Sequence, residues 1–369
     1  MLKILHTGDL HIGKNYAKHE PQIAEAYRNA RISALENAVK IANVKKCDYM
    51  IIAGDLYDKK SISAALHKEV CKALSQSACP VIIIPGNHDY CEGKDDELWN
   101  DFEKYSSDNT VVLRENKAYE TENAVFFPCV CNDRYSEKNA LGWLENAPKS
   151  AEKFNIGIAH GALEGLSYDK EGKYYGMKTR ELEQTQMDLW LLGHTHVPFP
   201  LITSNEKITN KRIFNAGTPQ QTDISDNSEG TVFYIEIDEK RNVAAECLKT
   251  GVIRFAKHNV ELRHGENLKK RLEEILGETP EKTSYRVEIS GTVCEEDYNS
   301  RGEIYRKIAA KTLCFDVRDS KLCREITEQR IDEETPEGSL ENQLLKQYIN
   351  SPEMLNLTFE LLKKCKEEK

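Results

Sequence analysis

Three short apolar runs alternate with two amphipathic segments over the first 90 residues, and this alternation constrains the fold more than any other feature of the chain. The runs KILHT, YMIIAGD (49–55) and PVIIIPGNHD (80–89) are typical of buried strands. The segments 22–46 and 61–77 repeat apolar residues at helical spacing. This order predicts neighbouring parallel strands with right-handed crossovers, which is an α/β fold.

The rest of the chain predicts further strands and then a change of pattern. Strands are expected at 124–127, 155–159, 189–193, 211–215, 231–237 and 243–248. The last two flank the turn sequence DEKRN, so we expect them to pair antiparallel. From about residue 251 a helix, a strand and a helix follow, which indicates a small α+β domain.

A charged segment and two short amphipathic helices are predicted to close the chain. The charged segment is broken by Pro336 and Gly338, which is typical of a linker. We expect the terminal helices to stand away from the body and bind a partner, the alternative being that they fold back on their own domain. The predicted divisions are 1–250, the α+β domain 251–322, the linker 323–338 and the helical tail 339–369.

Composition excludes several classes of protein. The 369 residues carry a formal net charge of −10, which argues against wrapping nucleic acid by bulk electrostatics but leaves room for a local basic surface. We find no signal peptide and no apolar run long enough to cross a membrane. The 11 cysteines contain no C-x-x-C pair, so we expect reduced thiols in a cytoplasmic protein. A zinc site at Cys129 and Cys131 is disfavoured because no second pair has matching spacing.

Acids and histidines follow many of the predicted strands. The ligand sites of open α/β sheets lie outside the carboxyl ends of the strands, so we expect these side chains to converge. Carboxylate, imidazole and amide groups together suit a divalent cation. The residues are Asp9, His11, Asp55, Asn87, His88, Asp89, His160, His194 and His196.

The order of these motifs resembles that of the calcineurin-like metallophosphoesterases: D-x-H, G-D, G-N-H-D, a lone H and G-H-x-H. Within that family, ILHTGDLHIGK and AGDLYD resemble the SbcD-type branch, the nuclease subunits of double-strand-break repair complexes. The resemblance implies a β-sandwich flanked by helices, a small α+β capping domain that binds DNA, and a helical tail that binds an ATPase.

The resemblance also assigns roles to residues. It implies two divalent ions, Mn²⁺ being favoured over Fe or Zn, and makes His88 the proton donor to the leaving 3′ oxygen, with Asp58 orienting it. Lys14, Lys59 and Lys60 are candidates for DNA contact or ordinary surface lysines. The implied ligands are Asp9, His11, Asp55 and His196 for the first ion, and Asp55, Asn87, His160 and His194 for the second.

The function that the resemblance implies is a Mn²⁺-dependent DNA nuclease. It would degrade double-stranded ends from 3′ to 5′ and cut single strands and hairpins. Its partners would be DNA, a coiled-coil ABC-type ATPase of the SbcC type and a second copy of the chain. Two alternatives stay open: another phosphodiesterase or phosphatase of the same fold, and a scaffold that binds DNA and the ATPase with a silent site.

Overall fold

The protein is described by a computed structural model that covers residues 1–166, 169, 171–201, 207–226 and 228–367. The chain divides into two compact units, Met1–Ile253 and Arg254–Lys369. The sequence prediction puts the corresponding boundary after residue 250.

The first unit alternates strands with helices, as the sequence predicts. Its helices are α1 Pro21–Lys45, α2 Ala64–Leu74, α3 Glu97–Glu103 and α4 Thr179–Gln184, with a short 3₁₀ helix at Gly142–Asn146. Helix α2 begins later than predicted because the Ser63 hydroxyl accepts the N–H of Leu66 at 3.3 Å and caps it. The strands are β1 Leu2–Thr7, β2 Tyr49–Ala53, β3 Val81–Ile84, β4 Thr110–Val112, β5 Tyr119–Glu120, β6 Ala124–Cys129, β7 Phe154–His160, β8 Leu189–Gly193, β9 Lys207–Thr209, β10 Ile213–Asn215, β11 Thr231–Ile237 and β12 Val243–Lys249.

Two β-sheets form the body of this unit. The larger has the strand order β4-β3-β2-β1-β11-β12-β9, and the smaller has the order β10-β8-β7-β6-β5. Strands β1 to β4 run parallel, and so do β6, β7, β8 and β10. Strands β11 and β12 pair antiparallel, which confirms the prediction from DEKRN.

Apolar side chains of the two sheets meet in a shared core, so the unit is a sandwich. Ile4 and Ile51 of the larger sheet lie in the same buried cluster as Phe126 of the smaller sheet. A second cluster joins the larger sheet to α1 and α2, where Leu35 and Val70 are buried. Each such side chain contributes about 1.5–3 kcal/mol on burial. The predicted α/β sandwich flanked by helices is therefore confirmed.

The second unit is built on a parallel sheet with the order β13-β14-β15. Leu272 of α5 and Ile308 of α6 are fully buried against this sheet. The elements are β13 Arg254–Leu262, α5 Leu268–Glu274, a 3₁₀ helix at Pro280–Lys282, β14 Thr283–Val293, α6 Glu295–Ala309, β15 Cys314–Arg324, α7 Glu328–Glu334, α8 Leu340–Gln347 and α9 Pro352–Glu367.

The segment predicted as a linker, 323–338, is instead folded. It includes the end of β15 and the whole of α7, where Ile331 is fully buried. Ile326 and Ile331 share a cluster with Leu345 of α8 and Phe359 of α9. The two tail helices thus pack on their own unit rather than standing away from it, because a few apolar residues anchor the segment.

Two further predictions concern thiols and membranes. Among the described residues, none of the 11 cysteines forms a disulfide bond, and their reduced state stays a prediction. The Cys131 thiol donates to the carbonyl oxygen of His160 at 3.3 Å, so Cys131 has a structural contact rather than a zinc site. Among the helices of the described residues, none is both long enough and apolar enough to cross a membrane.

Candidate metal centre

The polar motifs lie where the strands end. Asp9 and His11 follow β1, Asp55 follows β2, and the GNHD sequence follows β3. His160 ends β7, and the GHTH sequence follows β8. Because these strands are parallel within each sheet and the sheets are packed together, the motifs meet at one edge of the sandwich.

Several of these residues adopt a strained backbone conformation. The φ angles of Asp9, His11, Asp55 and His194 are 52°, 46°, 51° and 98°, which lie in the left-handed region. Such a conformation costs a non-glycine residue about 1–3 kcal/mol and is found mostly at functional sites. The fold therefore holds these side chains at an energetic cost.

The first cluster consists of Asp9, His11 and His196. The Nε2 atoms of His11 and His196 are 2.9 Å apart, and Asp9 Oδ1 lies 3.9 Å and 3.7 Å from them. Asp9 Oδ2 accepts the backbone N–H of His194 at 2.8 Å. Asp9 Oδ1 is buried and has no hydrogen-bond partner in the described part of the chain. A buried carboxylate oxygen of this kind is suited to bind a cation.

Protons on the outer nitrogens leave two lone pairs facing each other in this cluster. His11 Nδ1 lies 3.2 Å from a carboxylate oxygen of Asp58. His196 Nδ1 lies 3.2 Å from the hydroxyl of Thr222, and that hydroxyl donates to Asp226 at 3.3 Å. In the tautomers with protons on both outer nitrogens, both Nε2 atoms are acceptors and could bind one cation together.

The second cluster consists of Asn87, His160 and His194. Asn87 Oδ1 lies 3.0 Å from Nε2 of His160 and 3.1 Å from Nδ1 of His194. His160 Nδ1 donates to the carbonyl oxygen of Ala53 at 2.8 Å, which directs Nε2 at the Asn87 side chain. This set of imidazole and amide groups fits a second divalent ion.

Asp55 lies between the two clusters. Its Oδ2 is 3.6 Å from Nε2 of His11 and 3.4 Å from Nε2 of His160. Its Oδ1 accepts the backbone N–H of His88 at 2.8 Å, which fixes the carboxylate. Asp55 is therefore placed to bridge two ions.

Burial and charge set the pKa values of this centre. Burial alone raises the pKa of Asp55, but His160 and His11 outweigh it and hold that pKa well below its ordinary range. Burial lowers the pKa of His160, but Asp55 reverses this and raises it to about 9. Burial also lowers the pKa of His194 to about 3. The same negative field that favours a proton on His160 would attract a metal ion.

His88 and Asp58 are arranged differently from the prediction. His88 Nδ1 lies 3.0 Å from the backbone carbonyl oxygen of Asp58, while the Asp58 carboxylate binds His11. The Asp58 side chain thus positions a candidate metal ligand, and its main chain positions His88. The His88 ring meets the His11 ring edge to face, with 4.8 Å between centroids, and is partly exposed.

Some neighbours of the site were not identified from the sequence. Thr222 and Asp226 lie in the loop after β10, and only the recurrence of a polar loop at this edge of the sheet could have indicated them. The Tyr174 ring lies on the ring of His194, and no sequence pattern indicated that Tyr174 is near the site. Asp89 accepts backbone N–H groups of Tyr57 at 3.0 Å and Gly86 at 2.7 Å, so it braces the turn.

The three candidate DNA-contact lysines differ in their surroundings. The Lys60 ammonium binds Asp96 and the carbonyl oxygen of Tyr90, so its charge is already used within the protein. The prediction that Lys60 contacts DNA is therefore not supported by its position. Lys59 is exposed and Lys14 is half-buried on the loop after His11.

Comparisons with known proteins agree with this geometry. The family model for the calcineurin-like phosphoesterases matches residues 2–198. The uncharacterized metallophosphoesterase YhaO of Bacillus subtilis (strain 168) is 25% identical over 206 residues, 53% of this chain and 48% of that protein.

Two relatives with nuclease or repair names match over shorter stretches. The SbcD subunit of the SbcCD nuclease from Escherichia coli (strain K12) is 30% identical over 92 residues, 24% of this chain and 21% of that protein. The DNA double-strand break repair protein Mre11 of Aeropyrum pernix is 32% identical over 101 residues, 27% of this chain and 24% of that protein. The chain therefore spans about half the length, or less, of the relatives that it matches.

Proposed function

Because this chain belongs to the calcineurin-like phosphoesterase family, we propose that it is a two-metal phosphodiesterase that cleaves DNA. The observation that carries the proposal is the pair of buried clusters of carboxylate, imidazole and amide groups that lie on either side of Asp55. Mn²⁺ is the metal proposed, because the ligands are mixed carboxylate, imidazole and amide groups without a thiolate.

The proposed mechanism uses two bound metal ions to activate water and His88, which is not a ligand, to donate a proton. When bound, two divalent ions would supply Lewis-acid activation of water and neutralise charge on a phosphodiester. Asp55 would contribute its carboxylate to both. The remaining ligands are Asp9, His11 and His196 on one side, and Asn87, His160 and His194 on the other.

His88 is placed to act as the proton donor in this reaction. Its Nδ1–H donates to the carbonyl oxygen of Asp58, so Nε2 is the atom that exchanges a proton with the leaving oxygen. The ring is partly exposed, whereas the ligands His11 and His160 are buried. Substrate can therefore reach His88 without displacing a ligand. General acid catalysis of this kind contributes about 10²–10⁴-fold.

DNA is proposed as the substrate on the basis of the relatives. The names of two relatives are those of a nuclease component and a double-strand break repair protein, and their matches cover about a quarter of this chain. The proposed activities are 3′ to 5′ degradation of double-stranded ends and cutting of single strands and hairpins. The second candidate is another phosphoesterase, because the relative that matches the largest share of this chain is an uncharacterized metallophosphoesterase.

An ATPase of the SbcC type is proposed as the partner. Helix α9 exposes Met354, Leu357 and Leu361 by 43%, 53% and 53%, although its other face is buried in its own unit. An apolar stripe of this kind favours contact with another helix. A homodimer and a cytoplasmic location stay predictions from the sequence.

A substrate panel tests the proposed function. Labelled duplex, hairpin and single-stranded DNA are incubated with Mn²⁺ beside a chromogenic phosphodiester and a phosphomonoester, with and without the ATPase. Cleavage of DNA that is lost in Asp55→Asn supports the nuclease. Cleavage of only the small esters indicates the second candidate, and cleavage of none indicates a scaffold.

A further inference from the structure

Two tyrosines extend outward from the second metal cluster. The Tyr174 ring lies on the ring of His194, with 5.0 Å between centroids and an angle of 32°. The Tyr135 ring follows it, with 5.6 Å between centroids and an angle of 57°. Tyr135 is 50% exposed, so part of its ring surface is open to solvent. The aromatic surface thus begins at a metal ligand and ends in solvent.

Main-chain contacts hold the two rings side by side. Ser136 and Tyr174 form a parallel β-bridge. The Ser136 N–H donates to the carbonyl oxygen of Lys173 at 2.7 Å, and the Tyr175 N–H donates to that of Ser136 at 2.9 Å. The fold therefore couples the segment that carries Tyr135 to the one that carries Tyr174.

A buried tyrosine fixes the turn that precedes Tyr135. The Tyr175 hydroxyl oxygen accepts the N–H groups of Asn132 at 3.2 Å and Asp133 at 2.9 Å, and it donates to the carbonyl oxygen of Asp133 at 2.8 Å. Tyr175 is only 3% exposed. The exposed ring of Tyr135 is consequently presented by an ordered turn.

A cation accompanies the exposed ring. The Arg134 guanidinium carbon lies 5.8 Å from the centroid of the Tyr135 ring, and the Arg134 side chain is exposed. Aromatic rings with an adjacent arginine are the usual means by which proteins bind single-stranded nucleic acid, because every base has a flat face and every linkage has a negative charge.

We propose that Tyr135 and Tyr174, with Arg134, form a stacking platform for an unpaired nucleobase of the DNA strand that is cut. The proposal rests on the proposed function and adds to it a preference for substrates with an unpaired base beside the cut. Inside a duplex both faces of a base are covered by its neighbours, so only a frayed, looped or single-stranded base can stack on a protein ring.

The test compares cleavage of a DNA strand that has a base beside the cut with cleavage of a strand that lacks that base. The substrates are a single-stranded oligonucleotide and the same oligonucleotide with an abasic residue beside the cut, both cleaved in Mn²⁺. Tyr135→Leu keeps an apolar side chain but removes the ring, and it does not alter the residue in contact with His194. We expect KM for the complete oligonucleotide to rise about tenfold, because stacking contributes roughly that factor per base. KM for the abasic oligonucleotide and kcat for both should stay unchanged.

Binding without cleavage provides a second readout. An oligonucleotide that carries 2-aminopurine is mixed with metal-free protein, and quenching of its fluorescence reports stacking. Quenching should occur with the unmodified chain and with Tyr135→Phe, and it should be lost with Tyr135→Leu. The matched control is Tyr119→Leu, an exposed tyrosine on the edge strand β5, which should behave like the unmodified chain.

The outcomes separate this proposal from the proposed function. The platform is wrong if KM is the same for the complete and the abasic oligonucleotide, both in the unmodified chain and in Tyr135→Leu. The proposed nuclease activity would still be supported in that case. If no DNA is cleaved, the proposed function is wrong, and the fluorescence experiment still decides whether the rings bind a base. Equal quenching by Tyr135→Leu and Tyr135→Phe overturns the platform in either case.

Discussion

Nε2 of His11 and Nε2 of His196 lie 2.9 Å apart, although 185 positions separate the two residues in the chain. The outer nitrogen of His11 lies 3.2 Å from a carboxylate oxygen of Asp58, and that of His196 lies 3.2 Å from the hydroxyl of Thr222. Two imidazole nitrogens brought together by the fold at this distance suit a shared cation. This relationship supports the proposal that the edge of the sandwich is a metal site.

We therefore expect the chain to bind two divalent ions. Elemental analysis after dialysis against Mn²⁺ should give two ions per chain, and Asp55→Asn should lose both because it removes the shared carboxylate. At a hundredfold excess over Kd, a bound ion should raise the free energy of unfolding by about 2.7 kcal/mol. A single ion that persists in Asp55→Asn would contradict the bridging role.

His88→Gln should separate binding from chemistry. The variant removes a proton donor and no ligand, so we expect two ions to remain while kcat falls about 10²–10⁴-fold. Calorimetric titration with Mn²⁺ and a cleavage assay measure the two effects. Loss of metal, or cleavage at the original rate, would show that His88 has another role.

Asp58→Asn is the matched comparison for His88→Gln. This substitution keeps the main-chain carbonyl that holds His88 but weakens the carboxylate contact with His11. We expect Mn²⁺ affinity at the first cluster to fall about 10–100-fold, as is typical when a partner of a ligating histidine is removed. Excess Mn²⁺ should then restore cleavage.

Thr222→Val should weaken binding of Mn²⁺ at the first cluster, as Asp58→Asn does. The substitution keeps the shape of the side chain but removes the hydroxyl that accepts from His196 Nδ1, so the ring loses its fixed tautomer. We expect a 10–100-fold (about 1.4–2.8 kcal/mol) loss of Mn²⁺ affinity, measured by competition with a fluorescent chelator. Thr222→Ser should behave normally. Asp223→Asn is the control on the same loop, because that carboxylate binds Ser225.

The strands and the convergence of the polar motifs could be predicted because both follow from short-range patterns. Apolar runs give the strands, and the parallel order brings their ends together. The roles of Asp58 and Thr222 could not be predicted, since each depends on which neighbour a side chain reaches after folding. The Asp58 carboxylate lies near His11, and its backbone carbonyl oxygen lies near His88. The sequence does not determine which of the two groups contacts which histidine.

The charged segment 323–338 shows a second limit of prediction from sequence, which concerns composition. Its composition predicts a solvated linker, but Ile331 and the nearby Ile326 are enough to dock it against α8 and α9. Arg330 binds Glu295 and Glu334, so charges that indicate solvent in the sequence are partly paired in the fold. Two buried isoleucines are enough to dock this segment. In the sequence, two apolar residues among many charged ones do not form a pattern that predicts a buried helix.

The exposed stripe of α9 gives a sharper test of partner binding than deleting the tail. Leu345, Leu355 and Phe359 complete a buried cluster, so deletion of 339–369 would also damage the unit. Leu357→Glu combined with Leu361→Glu changes only the exposed face. We expect the folded variant to lose co-purification with an SbcC-type ATPase while it keeps cleavage of small phosphodiesters.

An exposed leucine of the other unit is the control for this experiment. Leu201 is 76% exposed, so Leu201→Glu introduces the same charge without touching α9. It should leave co-purification unchanged. If the α9 variant binds the ATPase with the affinity of the unmodified chain, the stripe is not the docking surface.

His6 should make the metal-free protein sensitive to acid. Burial lowers the pKa of His6 to about 3, and a contact with the Leu192 backbone offsets this only in part. In the unfolded chain the same group titrates near its ordinary pKa of about 6.5. The folded pKa is the lower one, so the contribution of His6 to stability is complete above about pH 6.5 and is lost as pH falls towards 3. Between about pH 7.5 and 5 the loss should be about 2 kcal/mol.

Comparison with a variant isolates this contribution from that of the other histidines. Urea unfolding in EDTA is measured across the pH range for the unmodified chain, His6→Leu and His6→Gln, so that one variant remains if the other fails to fold. His11, His194 and His196 also have lowered pKa values through burial, and they should give all three proteins some loss of stability in acid. The variants should lose about 2 kcal/mol less than the unmodified chain over the same interval. Parallel curves would mean that His6 is protonated equally in the folded and unfolded states, and burial would then not control its titration.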